Sequence, residues 1–268
     1  MLNIYADLHC HSNCSDGTFS PAELVLHAKK IGLQGLSITD HDTIDAYRTA
    51  IPIAQKLGIR LGSGVEFSCQ FQGISIHLLG YDFSLKASDV HDLCIRHQKR
   101  REDRNRAILE KLKQHQMEID YEELQGTHTI GRPHIAQLMV DKGYVKNIRE
   151  AFNLYIGEGK KCYVAGEPFL VEEALEVLHK AHGKVFIAHP QLLPSEFPLD
   201  ELLKLPFDGV ECYYAKLHKK SWIEIAQSKK WLMSGGSDFH GTVKPENELG
   251  CSGVDQATFD AIFQHELS

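Results

Sequence analysis

The chain has 268 residues, and its hydrophobic, aromatic and charged fractions of 43%, 9% and 24% are ordinary for a globular protein. The formal net charge of −7 argues against an extended basic surface for duplex nucleic acid. The seven cysteines form no CxxC pair or disulfide framework. No apolar run approaches membrane-spanning length, and no signal peptide is recognisable. We therefore expect a cytoplasmic protein without membrane contact.

The first third of the sequence alternates apolar runs with helical patterns. Strands are predicted from β-branched and apolar runs at residues 2–9, 36–39, 59–66 and 74–80. A helix is predicted after Ser20, because a serine cap, a proline in the first turn and Glu23 three residues later together favour a helix start. A second helix is predicted at 46–57.

The pattern changes between residues 88 and 166, where helical periodicities follow one another without a convincing strand. The charge run at 96–106 predicts a solvated helix face with interleaved opposite charges. Alternation then resumes, with helices at 171–181 and 256–265 and strands at 184–189, 209–213 and 231–237. We therefore predict an α/β fold with a mainly parallel sheet, open or closed into a barrel, whose two parts (1–87 and 167–268) flank a helical insertion at 88–166.

Side chains that can bind metal ions follow the predicted strands. They are His9, His11, Asp40, His41, Glu66, His77, His189, Asp238 and His240. In a parallel barrel the carboxyl ends of the strands share one face, and residues two apart on a strand point to the same side. These residues fall at six different strand ends, and so many polar groups in equivalent positions disfavour a purely structural role for them. Imidazole and carboxylate groups bind zinc, manganese and iron, so the sequence predicts a metal centre at this face.

The motifs that carry these residues closely resemble the PHP family, the polymerase and histidinol phosphatase superfamily. The matching segments are Asp7-Leu8-His9-Cys10-His11-Ser12, Ser15-Asp16-Gly17, Thr39-Asp40-His41-Asp42, Gly64-Val65-Glu66, His77, Ala188-His189-Pro190 and Gly236-Ser237-Asp238-Phe239-His240. They run from the first predicted strand almost to the C-terminus. The resemblance implies the PHP fold, a distorted (β/α)7 TIM-like barrel, with the helical insertion as a substrate cap.

The resemblance also implies a trinuclear metal centre, and no ligand position of the family is missing. One ion would be held by His9, His11, Glu66 and Asp238, a second by Asp16, His41 and His240, and a third by Glu66, His77 and His189. We expect three divalent ions, with Mn²⁺ preferred and Fe²⁺ or Zn²⁺ also compatible with mixed nitrogen and oxygen ligands. Asp40, Asp42 and Glu211 would orient these ligands.

Within the family, the chain resembles the small stand-alone branch that acts on nucleotide phosphates and short RNA. Its Arg-x-His element is matched by Arg132 and His134, and its Gly-Lys loop by Lys160, although Lys161 replaces a more usual proline. These three matched residues would bind substrate. The implied reaction is attack of metal-activated hydroxide on phosphorus. It would release the 5′-phosphate of nucleoside 3′,5′-bisphosphates, or cleave short 5′-phosphorylated RNA from its 5′ end as a 5′-to-3′ exonuclease.

Three alternatives to this function stay open on the sequence. Histidinol phosphate hydrolysis differs only in substrate, and the insertion with Arg132 argues mildly for a nucleotide. Amide hydrolysis usually employs a lysine bridge between the metals, whereas Glu66 occupies that role here. A non-catalytic metal-binding regulatory module is disfavoured by the complete ligand set. Substrate length, the leaving-group acid and the oligomeric state are not determined by the sequence.

Overall fold

The computed structural model describes residues 4–124, 129–265 and 267. Its strands are β1 (Ala6–Cys10), β2 (Gly35–Ile38), β3 (Arg60–Gly62), β4 (Gly64–Phe71), β5 (Ile74–Tyr81), β6 (Lys184–Ile187), β7 (Gly209–Tyr214), β8 (Leu217–His218) and β9 (Leu232–Gly236). Its α-helices are α1 (Pro21–Lys30), α2 (Ala46–Leu57), α3 (Ser88–Gln114), α4 (Arg132–Asp141), α5 (Ile148–Ala151), α6 (Val171–Lys180), α7 (Leu199–Leu202), α8 (Lys220–Lys229) and α9 (Gln256–Ile262). Short 3₁₀ segments lie at Tyr121–Leu124, Pro190–Leu192 and Gly241–Val243, and a π-helical turn lies at Phe152–Ile156. No helix within these described residues is both long and apolar enough to cross a membrane.

Seven strands of the described chain form a ring. Within it β1 pairs with β2, β6 with β7 and β7 with β9 in parallel, whereas β4–β5 and β5–β6 are antiparallel. The ring is joined between β9 and β1 by the Asp238 amide, which donates to the His9 carbonyl at 2.7 Å. It is joined between β2 and β4 by the Glu66 amide, which donates to the Asp40 carbonyl at 3.2 Å. The predicted distorted α/β barrel is therefore confirmed.

The single strand predicted at 59–66 is wrong, because the chain breaks at Ser63 into β3 and β4. β3 pairs with β2, whereas β4 continues to Phe71 and forms a hairpin with β5. The turn of this hairpin is Gln72-Gly73, both with positive φ (49° and 82°), a conformation that glycine adopts without strain. Glu66 therefore lies within a strand, and the ring contains one antiparallel strand, β5, among strands that otherwise pair in parallel.

Other predicted elements differ from the structure mainly at their ends. The first strand, predicted at 2–9, begins at Ala6 and ends at Cys10, and residues 1–3 lie outside the described part of the chain. The last helix, predicted to reach residue 265, ends at Ile262. The Ser20 cap is present with both hydrogen bonds of the predicted capping box to Glu23.

Helix α3 connects two apolar clusters. Near its beginning, Val90 and Leu93 are fully buried in the main core around the barrel. Near its end, Ile108 and Leu112 are fully buried in a second cluster with side chains of α4, including Ile135. The described part of segment 88–166 contains helices and turns but no strand. Because α3 belongs to both clusters, it sets the position of this helical segment over the barrel.

Candidate metal centre

The structure brings together all nine side chains predicted as metal ligands. His9 and His11 lie at and just beyond the end of β1, and His41 follows β2. His189 follows β6, and Asp238 and His240 follow β9, while Asp16 lies in the loop after β1. Glu66 and His77 come from the β4–β5 hairpin, where Ser68 pairs with His77, so that Glu66 and His77 are diagonal neighbours on one face. Barrel strands and a hairpin thus converge on one small volume.

Glu66 lies at the centre of the cluster and is almost fully buried. Its Oε1 lies 2.8 Å from His77 Nδ1 and 2.9 Å from His189 Nε2. Its Oε2 lies 3.2 Å from His9 Nε2, 3.0 Å from His11 Nε2 and 3.3 Å from His41 Nδ1. The Glu66 carboxylate therefore faces five imidazoles, two at Oε1 and three at Oε2.

Three groups of ligand atoms within the described residues are compact enough to hold a metal ion, each with its atoms within 4.8 Å of one another. They are His9, His11, Glu66 and Asp238; His11, Asp16, His41 and His240; and His41, Glu66 and His77. The first group has the four side chains predicted for one ion, and the second adds His11 to the predicted three. The third group contains His41 where the prediction has His189, whose Nε2 nevertheless contacts Glu66.

The donor atoms of this cluster fit divalent cations. Both ring nitrogens of His11, and Nδ1 of His41, are buried and have carboxylate oxygens at 3.0 to 3.7 Å, but none of them makes a hydrogen bond of good geometry among the described residues. A buried polar atom without a partner is costly, so such atoms facing carboxylates are typical of ligand atoms. Imidazole nitrogens and carboxylate oxygens together suit zinc, manganese or iron.

The charges of the cluster favour ionised carboxylates. Burial alone would raise the pKa of Glu66, but the imidazoles of His41 and His9 outweigh it and hold that pKa well below its usual range. Burial opposes ionisation of Asp16 in the same way, and His240 and His41 lower its pKa well below the usual value. Ionised carboxylates can neutralise the charge of bound cations.

A basic cavity of about 280 Å³ opens onto the metal cluster. Its lining includes Asp16, His41, His77 and His240 from the candidate metal cluster, and Arg100, Arg101, Arg104 and Arg132 from α3 and α4. Of the three residues predicted to bind substrate, Arg132 lines this cavity. His134 is not among its lining residues, and its Nδ1 accepts from the Gly131 amide at 3.0 Å at the start of α4. The side chain of Lys160 is exposed and also lies outside the lining.

The sequence profile of the PHP domain family matches residues 7–181. The chain belongs to the PHP family. It is 34% identical over 244 residues to a "5'-3' exoribonuclease" of Haemophilus influenzae, covering 87% of this chain and 89% of that protein. It is 29% identical to a "3',5'-nucleoside bisphosphate phosphatase" of Chromobacterium violaceum, covering 93% and 91%. The crystal structure of a predicted metal-dependent phosphoesterase from Bifidobacterium adolescentis superposes with a TM-score of 0.86 at 29% identity, covering 96% and 94%.

Two buried carboxylates hold the PHP motifs in place around the cluster. Glu211 Oε1 accepts from His9 Nδ1 at 2.9 Å, and its Oε2 accepts from the His189 amide at 2.7 Å. This leaves His9 Nε2 directed at the cluster. Asp40 accepts from the Ser12 amide at 2.7 Å and from Ser15 Oγ at 2.6 Å. These bonds fix the loop that carries the predicted ligand Asp16.

Asp42, which ends the second PHP motif, connects the barrel to α3. It is fully buried and accepts from Arg101 Nε at 2.5 Å and from the Ser68 amide at 2.9 Å. Burial would raise the pKa of Asp42, but Arg101 and His97 lower it to about 2. Since Asp42 directly follows His41, the ion pair joins the helical segment to a candidate metal ligand.

Lys244 and the arginines of α3 were missed by sequence analysis of this PHP protein. Lys244 Nζ lies 2.7 Å from Asp238 Oδ2, which also accepts from Tyr214 Oη at 2.9 Å. Although burial would raise the pKa of Asp238, Lys244 and His240 hold it well below its usual range. No motif or spacing pointed to Lys244, which lies six residues after Asp238 in an irregular loop.

For α3, the prediction of a solvated charged face at 96–106 is wrong for three of its arginines. A signal was present in the sequence. Val90 and Leu93 near the beginning of the helix, and Ile108 and Leu112 near its end, lie on one buried stripe with spacings of three and four residues at each end. Arg104 lies on that stripe, four residues before Ile108, so it faces inward where the helix crosses the cavity.

Proposed function

We propose that this metal-dependent phosphoesterase hydrolyses phosphate esters of nucleotides. The favoured substrates are nucleoside 3′,5′-bisphosphates, at the 5′-phosphate, and short 5′-phosphorylated RNA, degraded from the 5′ end. The observation that carries the proposal is one cavity that is lined both by metal-binding side chains and by four arginines. The names of the Haemophilus and Chromobacterium relatives support this class of substrate.

The metal-binding side chains and the arginines have separate roles in the proposed reaction. Bound divalent ions would polarise the phosphoryl oxygens and lower the pKa of water near them. The nine predicted ligands would hold up to three such ions. Eight of them form the three compact groups, with Glu66 shared between two of these, and His189 contacts Glu66. Arg132 would bind phosphate oxygens through its planar fork, which matches phosphate in geometry and charge. The guanidinium of Arg132 is stacked near Phe152 and Tyr163, at 5.8 and 5.5 Å from their ring centroids, and is thereby oriented.

The test is hydrolysis of adenosine 3′,5′-bisphosphate and of a short 5′-phosphorylated RNA with and without Mn²⁺. We expect release of phosphate from the first and of mononucleotides from the second, lost on chelation and in Asp238→Asn. Glu201→Gln is the matched control, since Glu201 is exposed and contacts only Lys204 among charged groups of the described chain.

Histidinol phosphate is included as a third substrate in the same assay. Its hydrolysis, with neither nucleotide cleaved, would overturn the proposal in favour of the histidinol phosphatase alternative. Manganese binding without hydrolysis of any of the three would favour the non-catalytic alternative.

A further inference from the structure

Lys244 is the one lysine among the described residues that line the cavity. Its ammonium donates to Asp238 Oδ2 at 2.7 Å, and the Tyr214 hydroxyl donates to the same oxygen at 2.9 Å. The other oxygen of Asp238 faces imidazoles, with Oδ1 at 3.5 Å from His9 Nε2 and 3.3 Å from His11 Nε2. Asp238 therefore turns one oxygen to a candidate metal group and the other to Lys244 and Tyr214.

The ammonium of Lys244 lies beside the whole metal cluster. It interacts electrostatically with the carboxylates of Asp16 and Glu66 as well as with that of Asp238. Each of the three candidate metal groups contains at least one of these carboxylates. A phosphoryl group that is held at the cluster would therefore be near Lys244.

Lys244 also has donors left over for such a phosphoryl group. An ammonium carries three N–H donors, and Lys244 makes a single hydrogen bond among the described residues, to Asp238. Its side chain is 38% exposed, and the residue lines the cavity. The ammonium of Lys184 differs, because it is more deeply buried and donates to both Asp82 and the Ile262 carbonyl. The free donors of Lys244 are thus accessible from the cavity.

The loop that carries Lys244 is tied to Asp238 at a second point. The Lys244 carbonyl accepts from the Asn247 amide at 3.1 Å, and Asn247 Nδ2 donates to the Asp238 carbonyl at 3.4 Å. An ammonium that is held in place before substrate binds loses little side-chain entropy on binding. A preorganised donor of this kind can stabilise negative charge that develops on a phosphoryl oxygen.

We propose that Lys244 is a catalytic residue that donates a hydrogen bond to a non-bridging oxygen of the phosphate that is cleaved. Its positive charge would stabilise the negative charge that builds up on this phosphate during attack. The inference rests on the phosphoesterase reaction of the proposed function, but not on the nucleotide part of the substrate. Inorganic phosphate, which carries the same oxygens, is therefore a sufficient probe for the contact.

The experiment titrates inorganic phosphate into the manganese-loaded protein by calorimetry, beside a manganese titration and initial rates on adenosine 3′,5′-bisphosphate. In Lys244→Met we expect phosphate affinity to fall about 10- to 100-fold, from loss of one charge-assisted hydrogen bond. We expect kcat to fall about 100- to 1,000-fold, from loss of one preorganised donor. Manganese affinity should fall less than about threefold, because Tyr214 still holds Asp238 and a cation that repels Mn²⁺ has been removed.

Tyr214→Phe separates contact with the phosphate from positioning of Asp238. It removes the other hydrogen bond to Asp238 Oδ2 but no charge, so manganese affinity should fall about 10-fold. At saturating manganese, its phosphate affinity should stay within about threefold of that of the unmodified protein. Lys216→Met is the matched control, since Lys216 is exposed, lies outside the cavity lining and bonds the Glu246 carbonyl. It should change none of these values.

Loss of manganese affinity in Lys244→Met, with phosphate affinity kept once manganese saturates, would make Lys244 a positioning residue for Asp238 and overturn the inference. Unchanged phosphate affinity or unchanged kcat would also overturn it. Lys244→Gln, which keeps an N–H donor for Asp238 but not the charge, should match Lys244→Met and decides if that variant does not fold. Absence of nucleotide hydrolysis by the unmodified protein would overturn the proposed function, whereas the phosphate titration would still decide for or against Lys244.

Discussion

Replacement of Glu66 by glutamine is expected to remove two of the three proposed metal ions. Glu66 belongs to two of the three candidate groups and its two oxygens face different histidines. The remaining group, made of His11, Asp16, His41 and His240, does not contain it. Glutamine preserves the shape of the side chain but removes its negative charge and one oxygen ligand. We therefore expect the variant to keep one ion.

The same loss should be visible as a change in thermal stability. One ion at a hundred times its dissociation constant stabilises the fold by about 2.7 kcal/mol. With an unfolding entropy of about 2.1 cal/mol/K per residue, 268 residues correspond to about 0.56 kcal/mol/K, so each ion should raise Tm by roughly 5 °C. Manganese should thus raise Tm by about 14 °C in the unmodified protein and by about 5 °C in Glu66→Gln.

The assay combines metal analysis of manganese-loaded, desalted protein with thermal unfolding in manganese and in chelator. Glu201→Gln serves as the control for loss of an acidic side chain, since its surface pair with Lys204 contributes at most about 1 kcal/mol. Three ions and a full rise in Tm in Glu66→Gln would refute the assignment of Glu66 as the shared ligand.

Three further predictions concern the surroundings of the cluster. Glu211→Gln, which weakens the orientation of His9, should lower metal affinity about 10- to 100-fold in a manganese titration, with activity recovered at high manganese. Arg101→Met leaves the buried carboxylate of Asp42 without its arginine partner and should destabilise the protein by about 3–5 kcal/mol in urea unfolding; a loss below 1 kcal/mol would contradict this. Leu112→Ala, at a fully buried position of the second apolar cluster, should cost about 2–5 kcal/mol in the same assay, and unchanged stability would mean that this cluster does not limit unfolding.

Most members of the candidate metal cluster could be identified from the sequence because their signal is local, whereas Asp16 followed only from the resemblance to the PHP family. An apolar strand followed by histidine or a carboxylate is visible within a few residues, as in the segment that ends at His9 and His11. The rule that parallel strands end at one face then predicts convergence without coordinates. The strand predicted to end at Glu66 was wrong in its bounds, yet Glu66 still reaches the cluster, because β4 and β5 form a hairpin that crosses the same region.

Sequence alone therefore determined the fold class and the set of side chains that meet in the cluster, whereas tertiary structure decided what faces them. Helical periodicity shows that Arg104 lies on the inward stripe of α3, but it does not distinguish an apolar core from a polar cavity on that side. That distinction depends on how α3 lies across the barrel. The position of α3 is set by the two apolar clusters to which it belongs and by the buried ion pair of Arg101 with Asp42. The two residues of this pair are 59 positions apart in the chain. Such long-range packing leaves no local periodicity in the sequence, and for that reason the basic lining of the cavity became apparent only in the folded structure.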